Sequence, residues 1–81
     1  MNYDGHLLHR IRRIEDDKLG GWIESEENLS QDGSCWVDDE AIVFEDAKVS
    51  DNARVDDNAQ VYGNARVYDS TEVYGDARVF S

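Results

Sequence analysis

The sequence predicts an all-β fold, a short parallel β-helix solenoid of about three triangular coils closed at its start by an N-terminal capping strand. Three observations predict it. From Cys35 the chain divides into sixes: CWVDDE, AIVFED, AKVSDN, ARVDDN, AQVYGN, ARVYDS, TEVYGD and ARVFS. The first place is always small, the third is Val in all eight, and the fifth and sixth are Asp, Glu, Gly, Asn or Ser. A small residue and a Val two positions apart lie on the same side of an extended strand. The polar pair that follows is turn chemistry, because Gly, Asn and Asp tolerate left-handed backbone. Strand and corner alternating at a six-residue period make a coil. A run of antiparallel hairpins would not require a small residue at every first place, whereas the crowded interior of a narrow triangular coil does.

Three hexads per turn predict stacking of residues eighteen apart. Val37, Val55 and Val73 form one inward column, Val43, Val61 and Val79 a second, and Val49 and Val67 a third. Upstream, Ile23 and Leu29 are six apart but Leu29 and Val37 are eight apart. A two-residue insertion around Asp32-Gly33 restores the register and places Ile23 under Val43 and Leu29 under Val49. Residues 21–34 are thus an irregular first coil, and the chain is one domain with a cap over 1–20 and the solenoid over 21–81. The segment Leu7–Ile14 reads as a strand covering that first coil, with Trp22 and Trp36 beside it. Leu7, Ile11 and Ile14 also fit helical spacing, but β-branching and the Asp4-Gly5 turn signal favour a strand.

Charge is concentrated in the repeats. The 81 residues carry 19 acids against 8 bases, a net −11. Residues 1–18 are balanced, so the excess lies in residues 19–81, with fifteen acids and four bases. Such a surface repels nucleic acid and anionic membrane and attracts basic protein surfaces; acidity also keeps a small protein soluble. The one cysteine, Cys35, can form no internal disulfide. The opening residues have no basic region followed by an apolar run, and no stretch is long enough to span a membrane. The expectation is a cytoplasmic protein.

The fourth place of each hexad points outward, and there sit Phe44, Tyr62, Tyr68, Tyr74 and Phe80. Phe44, Tyr62 and Phe80, eighteen apart, form a ladder on one face beside Ile42. An exposed apolar stripe marks an interface, although aromatic ladders also stabilise sheets. The sequence stops in mid-repeat at Val79-Phe80-Ser81, which would leave a strand edge open to a second copy. Together these features predict a homodimer through Phe44, Tyr62, Tyr68, Tyr74, Val79 and Phe80.

Gly20-Gly21-Trp22-Ile23-Glu24, Asn28-Leu29-Ser30-Gln31 and Cys35-Trp36-Val37, followed by A-x-V-x-G-N-type hexads, resemble the bacterial and phage hexapeptide-repeat proteins labelled transferase-like. The stretch Leu8-His9-Arg10-Ile11-Arg12 is similar to their start. The resemblance spans almost the whole chain. It implies a left-handed parallel β-helix and no particular activity.

Hexapeptide acyltransferases use a catalytic His and bind acyl-CoA between solenoids. Here the repeats contain no His, and His6 and His9 both sit in the cap. Calcium-binding β-helices need a glycine-rich nonapeptide that is absent, so Asp51-Asn52 and Asp57-Asn58 read as corner conformation rather than ligands. Arg10, Arg12 and Arg13 are too few for nucleic-acid binding and are followed by acids. No metal, cofactor or catalytic residue is assigned. The reading is a non-enzymatic acidic binding protein whose rows Asp38 over Asp56, Asp39 over Asp57, and Glu45 with Asp46 stand in for a nucleic-acid backbone. Its partner is then a basic, nucleic-acid-binding protein, and the role a phage-type inhibitor of a host or CRISPR defence protein. A homo-oligomeric assembly module is the alternative, and a degenerate hexapeptide acyltransferase a second.

Overall fold

The computed structural model describes residues 2–13, 17–30 and 33–81. The predicted positions Ile14, Gln31 and Asp32 lie outside them. Each hexad folds alike. Its second and third residues make a two-residue strand: β5 (Trp36–Val37), β6 (Ile42–Val43), β7 (Lys48–Val49), β8 (Arg54–Val55), β9 (Gln60–Val61), β10 (Arg66–Val67), β11 (Glu72–Val73) and β12 (Arg78–Val79). Its fifth residue turns the corner in left-handed backbone: Asp39, Glu45, Asp51, Asp57, Gly63, Asp69 and Gly75 all have φ between 56° and 67°. The first-place N–H of the next hexad then closes the turn on the fourth-place carbonyl, as Ala41 N does on Asp38 O at 3.1 Å. Asp tolerates this conformation and Gly adopts it freely, so the fifth place is restricted for a backbone reason.

The strands stack in parallel on three faces. One joins β5, β8 and β11, and a second joins β7 and β10. The third joins β6, β9 and β12 with β4 (Leu19–Ile23) and β3 (His9–Arg12). Partners are eighteen residues apart: Val37 with Val55, Val55 with Val73, Val43 with Val61, Val61 with Val79, and Val49 with Val67. Ile23 pairs with Val43, and Leu29 bridges Val49. The insertion before the first regular hexad therefore restores the register as expected. Backbone N–H groups of one coil donate to carbonyls of the next, for example Trp36 to Ala53 and Asp38 to Val55.

The core is narrow. Val37, Val43, Val55, Val61, Ala41, Ala53 and Ala59 are wholly buried. A bulky first-place side chain would meet these Val columns, which is why Ala, Cys or Thr recurs there.

The N-terminal segment is more elaborate than one strand over Leu7–Ile14. A hairpin of β1 (Asn2–Tyr3) and β2 (His6–Leu7) turns at Asp4 (φ 49°) and Gly5 (φ 86°). After Leu8, β3 runs antiparallel to β4, pairing His9 with Ile23 and Arg10 with Trp22. Leu8 is the pivot: it is buried with Ile42 and Phe44, while Leu7 points into solvent. Ile11 packs on the main core, and the Arg10 and Arg13 guanidinium groups lie 5.2 and 4.6 Å over the Trp22 and Trp36 rings. Gly20 and Gly21 are needed for closeness. A Cβ on Gly20 would stand 2.5 Å from Val37 O, and one on Gly21 2.5 Å from Ala41 O.

Candidate functional site

The corner acids face outward and are held in place by the fold itself. The fifth-place N–H groups of Glu45, Asp57, Gly63, Asp69 and Gly75 each donate a hydrogen bond to a side-chain carboxylate of the coil below. Asp39 Oδ2 accepts from Asp57 N at 3.2 Å, and Asp57 Oδ2 accepts from Gly75 N at 3.1 Å. On the next corner Glu24 Oε1 accepts from Glu45 N at 2.7 Å, and Glu45 Oε1 from Gly63 N at 2.9 Å. On the third, Asp51 Oδ2 accepts from Asp69 N at 3.1 Å. Each such bond stabilises by on the order of 1 kcal/mol, less where solvent competes. The hydrogen bond leaves the carboxylate its charge and orients it. Asp39, Glu45, Asp46 and Asp57 are exposed.

Asp38 and Asp56 differ from those four. Both are half-buried and stand at the fourth place of stacked hexads. Burial pushes the Asp38 carboxyl up, but the Asp39 N–H at 2.9 Å, Lys18 Nζ at 3.4 Å and the Arg54 charge outweigh it, so its pKa falls below the ordinary value. Burial also pushes Asp56 up, and there Asp57, Asp39 and Glu72 add to it against Arg54 alone. Asp56 Oδ1 is buried, with no hydrogen-bond partner among the described residues. Of the six acids predicted to contact a partner, Asp38 is already paired with Lys18 and Glu45 lies beside His6.

The aromatic ladder forms as expected. Phe44 and Tyr62 stack at 5.2 Å and 15°, and Tyr62 and Phe80 at 5.2 Å and 13°. Its first rung is not a free surface. Phe44 is only 6% exposed and Ile42 5%, because the N-terminal hairpin lies over them. Tyr3 meets Phe44 edge-on at 5.6 Å, and the His6 ring sits 5.0 Å from it. A six-residue repeat carries no information about where a non-repeating segment lands, so this cover was not visible in the hexads. The exposed aromatics are Tyr68, Tyr74 and Phe80, at 51%, 63% and 65%, and Val79 is half-buried behind them.

Two further residues emerge only from the fold. Asn28 is buried and joins two coils through four hydrogen bonds. His6 faces Glu24 and Glu45, with Nδ1 2.9 Å from Glu24 Oε2 and Nε2 3.8 Å from Glu45 Oε2. The other histidine, His9, is exposed on β3. On the face of β7 and β10, Lys48 lies beside Arg66 in register, and both line a surface groove with Tyr68, Glu27 and Asp51.

Among the described residues no helix is long and apolar enough to cross a membrane. Residues 59–71, the hexads AQVYGN and ARVYDS with Thr71, match the family model described as the YdcK beta solenoid repeat. No curated protein and no solved structure matches the chain. The repeat match and the stacked parallel strands agree on what the chain is: a repeat β-solenoid protein of about three turns.

Proposed function

We propose that the protein is a non-enzymatic acidic binding protein that docks on a basic, nucleic-acid-binding surface of another protein. The observation that carries this reading is the corner ladder. It fixes Asp39 and Asp57 on one corner, about 4.8 Å apart along the stack, and holds Glu45, with its sequence neighbour Asp46, on the next. One strand of a nucleic-acid duplex carries a charge roughly every 3.4 Å of axis, a comparable line of negative charge. Rigid acceptors lose little conformational entropy on binding. The resemblance to transferase-like phage proteins adds the role of a stoichiometric inhibitor of a host defence or CRISPR protein, acting in the host cytoplasm. Asp38, paired with Lys18, supports the surface rather than making the contact.

Asn keeps both the corner conformation and an acceptor oxygen, so Asp→Asn changes remove charge and leave the ladder intact. The test is displacement of a fluorescent DNA duplex from a lysine-rich histone. The unmodified protein displaces it with a midpoint that weakens steeply with salt. The combined Asp39→Asn, Asp46→Asn, Asp57→Asn variant weakens that midpoint roughly tenfold, from about 0.5 kcal/mol per exposed charge. Equal displacement by that variant overturns the reading. A second reading, self-association, is favoured by the exposure of Tyr68, Tyr74 and Phe80 in the last hexads. It predicts a dimeric mass at micromolar concentration that Tyr74→Ser with Phe80→Ser abolishes while displacement persists.

A further inference from the structure

The hairpin Asn2–Leu7 forms its own two-stranded sheet, and among the described residues no strand ladder joins it to the solenoid. A two-stranded hairpin is marginal by itself, so its seat depends on side chains. The apolar part is Tyr3 and Leu8 against Phe44 and Ile42. The polar part is a long hydrogen bond from Tyr3 Oη to Gln60 Oε1, 3.3 Å, and the contacts of His6. His6 is placed between two carboxylates from different elements. Glu24 follows β4, and Glu45 turns the corner after β6. Glu24 is held as an anion by its second oxygen, which receives the Glu45 N–H. The charged groups facing His6 are Glu24, Glu45 and, from the hairpin's own turn, Asp4. A neutral imidazole can serve Glu24 alone, whereas an imidazolium donates to Glu24 at 2.9 Å and sets a positive charge 3.8 Å from Glu45.

We propose that the N-terminal hairpin is a proton-operated clasp: imidazolium at His6, bridging Glu24 and Glu45, holds it over Phe44, and loss of that proton loosens it. Opening uncovers Phe44 and Ile42 and makes the Phe44–Tyr62–Phe80 ladder continuous and accessible. The direction follows from the groups present. The Glu24 hydrogen bond, then the Glu24, Glu45 and Asp4 charges, raise the His6 pKa above 6.5 against a smaller effect of burial. A raised folded value means that the bridge is fully present below about 6.5 and is lost as pH rises through the folded value. Glu24, lowered by the same hydrogen bond and by the Glu45 N–H, stays ionised until well into acid. The clasp is therefore closed in mildly acidic solution and loosens on the alkaline side. It shares Glu45 with the acidic corners, but it is read from the Tyr3 and Phe44 rings with no partner present, so its failure and the failure of the binding reading are distinguishable.

The experiment is an NMR titration of the full chain from about pH 5.5 to about pH 8.5, reading the His6 ring together with the Tyr3 and Phe44 ring signals. The open-to-closed ratio of the hairpin rises about two- to fivefold across the His6 titration, the range of a partly exposed ion pair. His9→Gln leaves that profile in place, and His6→Gln removes it. Glu45→Gln keeps an acceptor for the Gly63 N–H and moves both the His6 midpoint and the opening to lower pH. His6 titrating at or below 6.5, a flat Tyr3 and Phe44 profile, or an unshifted midpoint in Glu45→Gln each overturns the clasp.

Discussion

Asn28 offers the sharpest test of what holds the irregular first coil to the regular ones. It is 1% exposed. Its Oδ1 accepts from Glu24 N at 2.9 Å and Ser25 N at 2.8 Å, and its Nδ2 donates to Glu45 O at 3.2 Å and Ala47 O at 2.8 Å. All four hydrogen-bonding positions of the amide are filled. Asn28→Ala removes four bonds worth about 1 kcal/mol each and leaves two N–H and two C=O groups facing a cavity. Water entering that cavity offsets part, giving an expected loss of about 3–4 kcal/mol. The whole chain, at about 0.05–0.15 kcal/mol per residue, has on the order of 4–12 kcal/mol of stability, so the loss is a large share of it. Coils couple mainly to their neighbours, so the damage falls between the first and second coils, where Trp22 and Trp36 report it. The assay is urea unfolding followed by tryptophan fluorescence. Asn28→Asp is expected to be at least as damaging at neutral pH, since it turns an oxygen toward Glu45 O and Ala47 O. A loss below about 1 kcal/mol for Asn28→Ala would show that the four bonds are replaceable and refute the reasoning.

Asp38 and Asp56, stacked one above the other, should respond to neutralisation with opposite signs. Asp38 has a lowered folded pKa, so its contribution is present above the ordinary carboxylate range and fades as pH falls through the folded value; Asp38→Asn lowers the unfolding midpoint at pH 7. Asp56 has a raised folded pKa, so its ionisation at pH 7 is unfavourable; Asp56→Asn raises the midpoint there, and the gain disappears in acid where Asp56 is already protonated. Changes of the same sign in both variants would contradict the assignment. Two glycines with the same corner conformation should also separate. Gly75 (φ 64°) has open space where a Cβ would sit, so Gly75→Ala meets only the left-handed penalty of about 1–2 kcal/mol. Gly33 (φ 75°) would place its Cβ 2.5 Å from Asp51 O, so Gly33→Ala lowers the melting temperature further.

The solenoid was legible because its periodicity is physical. A small residue and a Val every six positions can satisfy only one narrow interior, and the Val columns, the displaced Leu29 and the stacked aromatics follow from that register. The restriction at the fifth place was legible as backbone conformation. Its second role was not. That Asp39, Glu45, Asp51 and Asp57 receive an amide from the coil above requires knowing both the stacking and the direction of the fifth-place N–H. Phe44 illustrates a different limit. Its place in the hexad points outward, which implies exposure, but the hairpin from residues 2–7 covers it. Leu8 rather than Leu7 carries the inward side of that segment, and no repeat exists there to reveal the parity. Asn28 stood within a noticed motif, yet a buried amide filling four bonds has no signature in composition or spacing.

The corner ladder gives the molecule the character of a ruler. The coil over residues 41–58 brings three carboxylates, Glu45, Asp51 and Asp57, to the amides above it, and offers the Glu45 and Asp57 amides to carboxylates of the coil below. Such a coil is a self-sufficient building block. Splicing in whole copies of it would lengthen the stack in steps of about 4.8 Å and extend every row of charge by one mark, while both ends stay as they are.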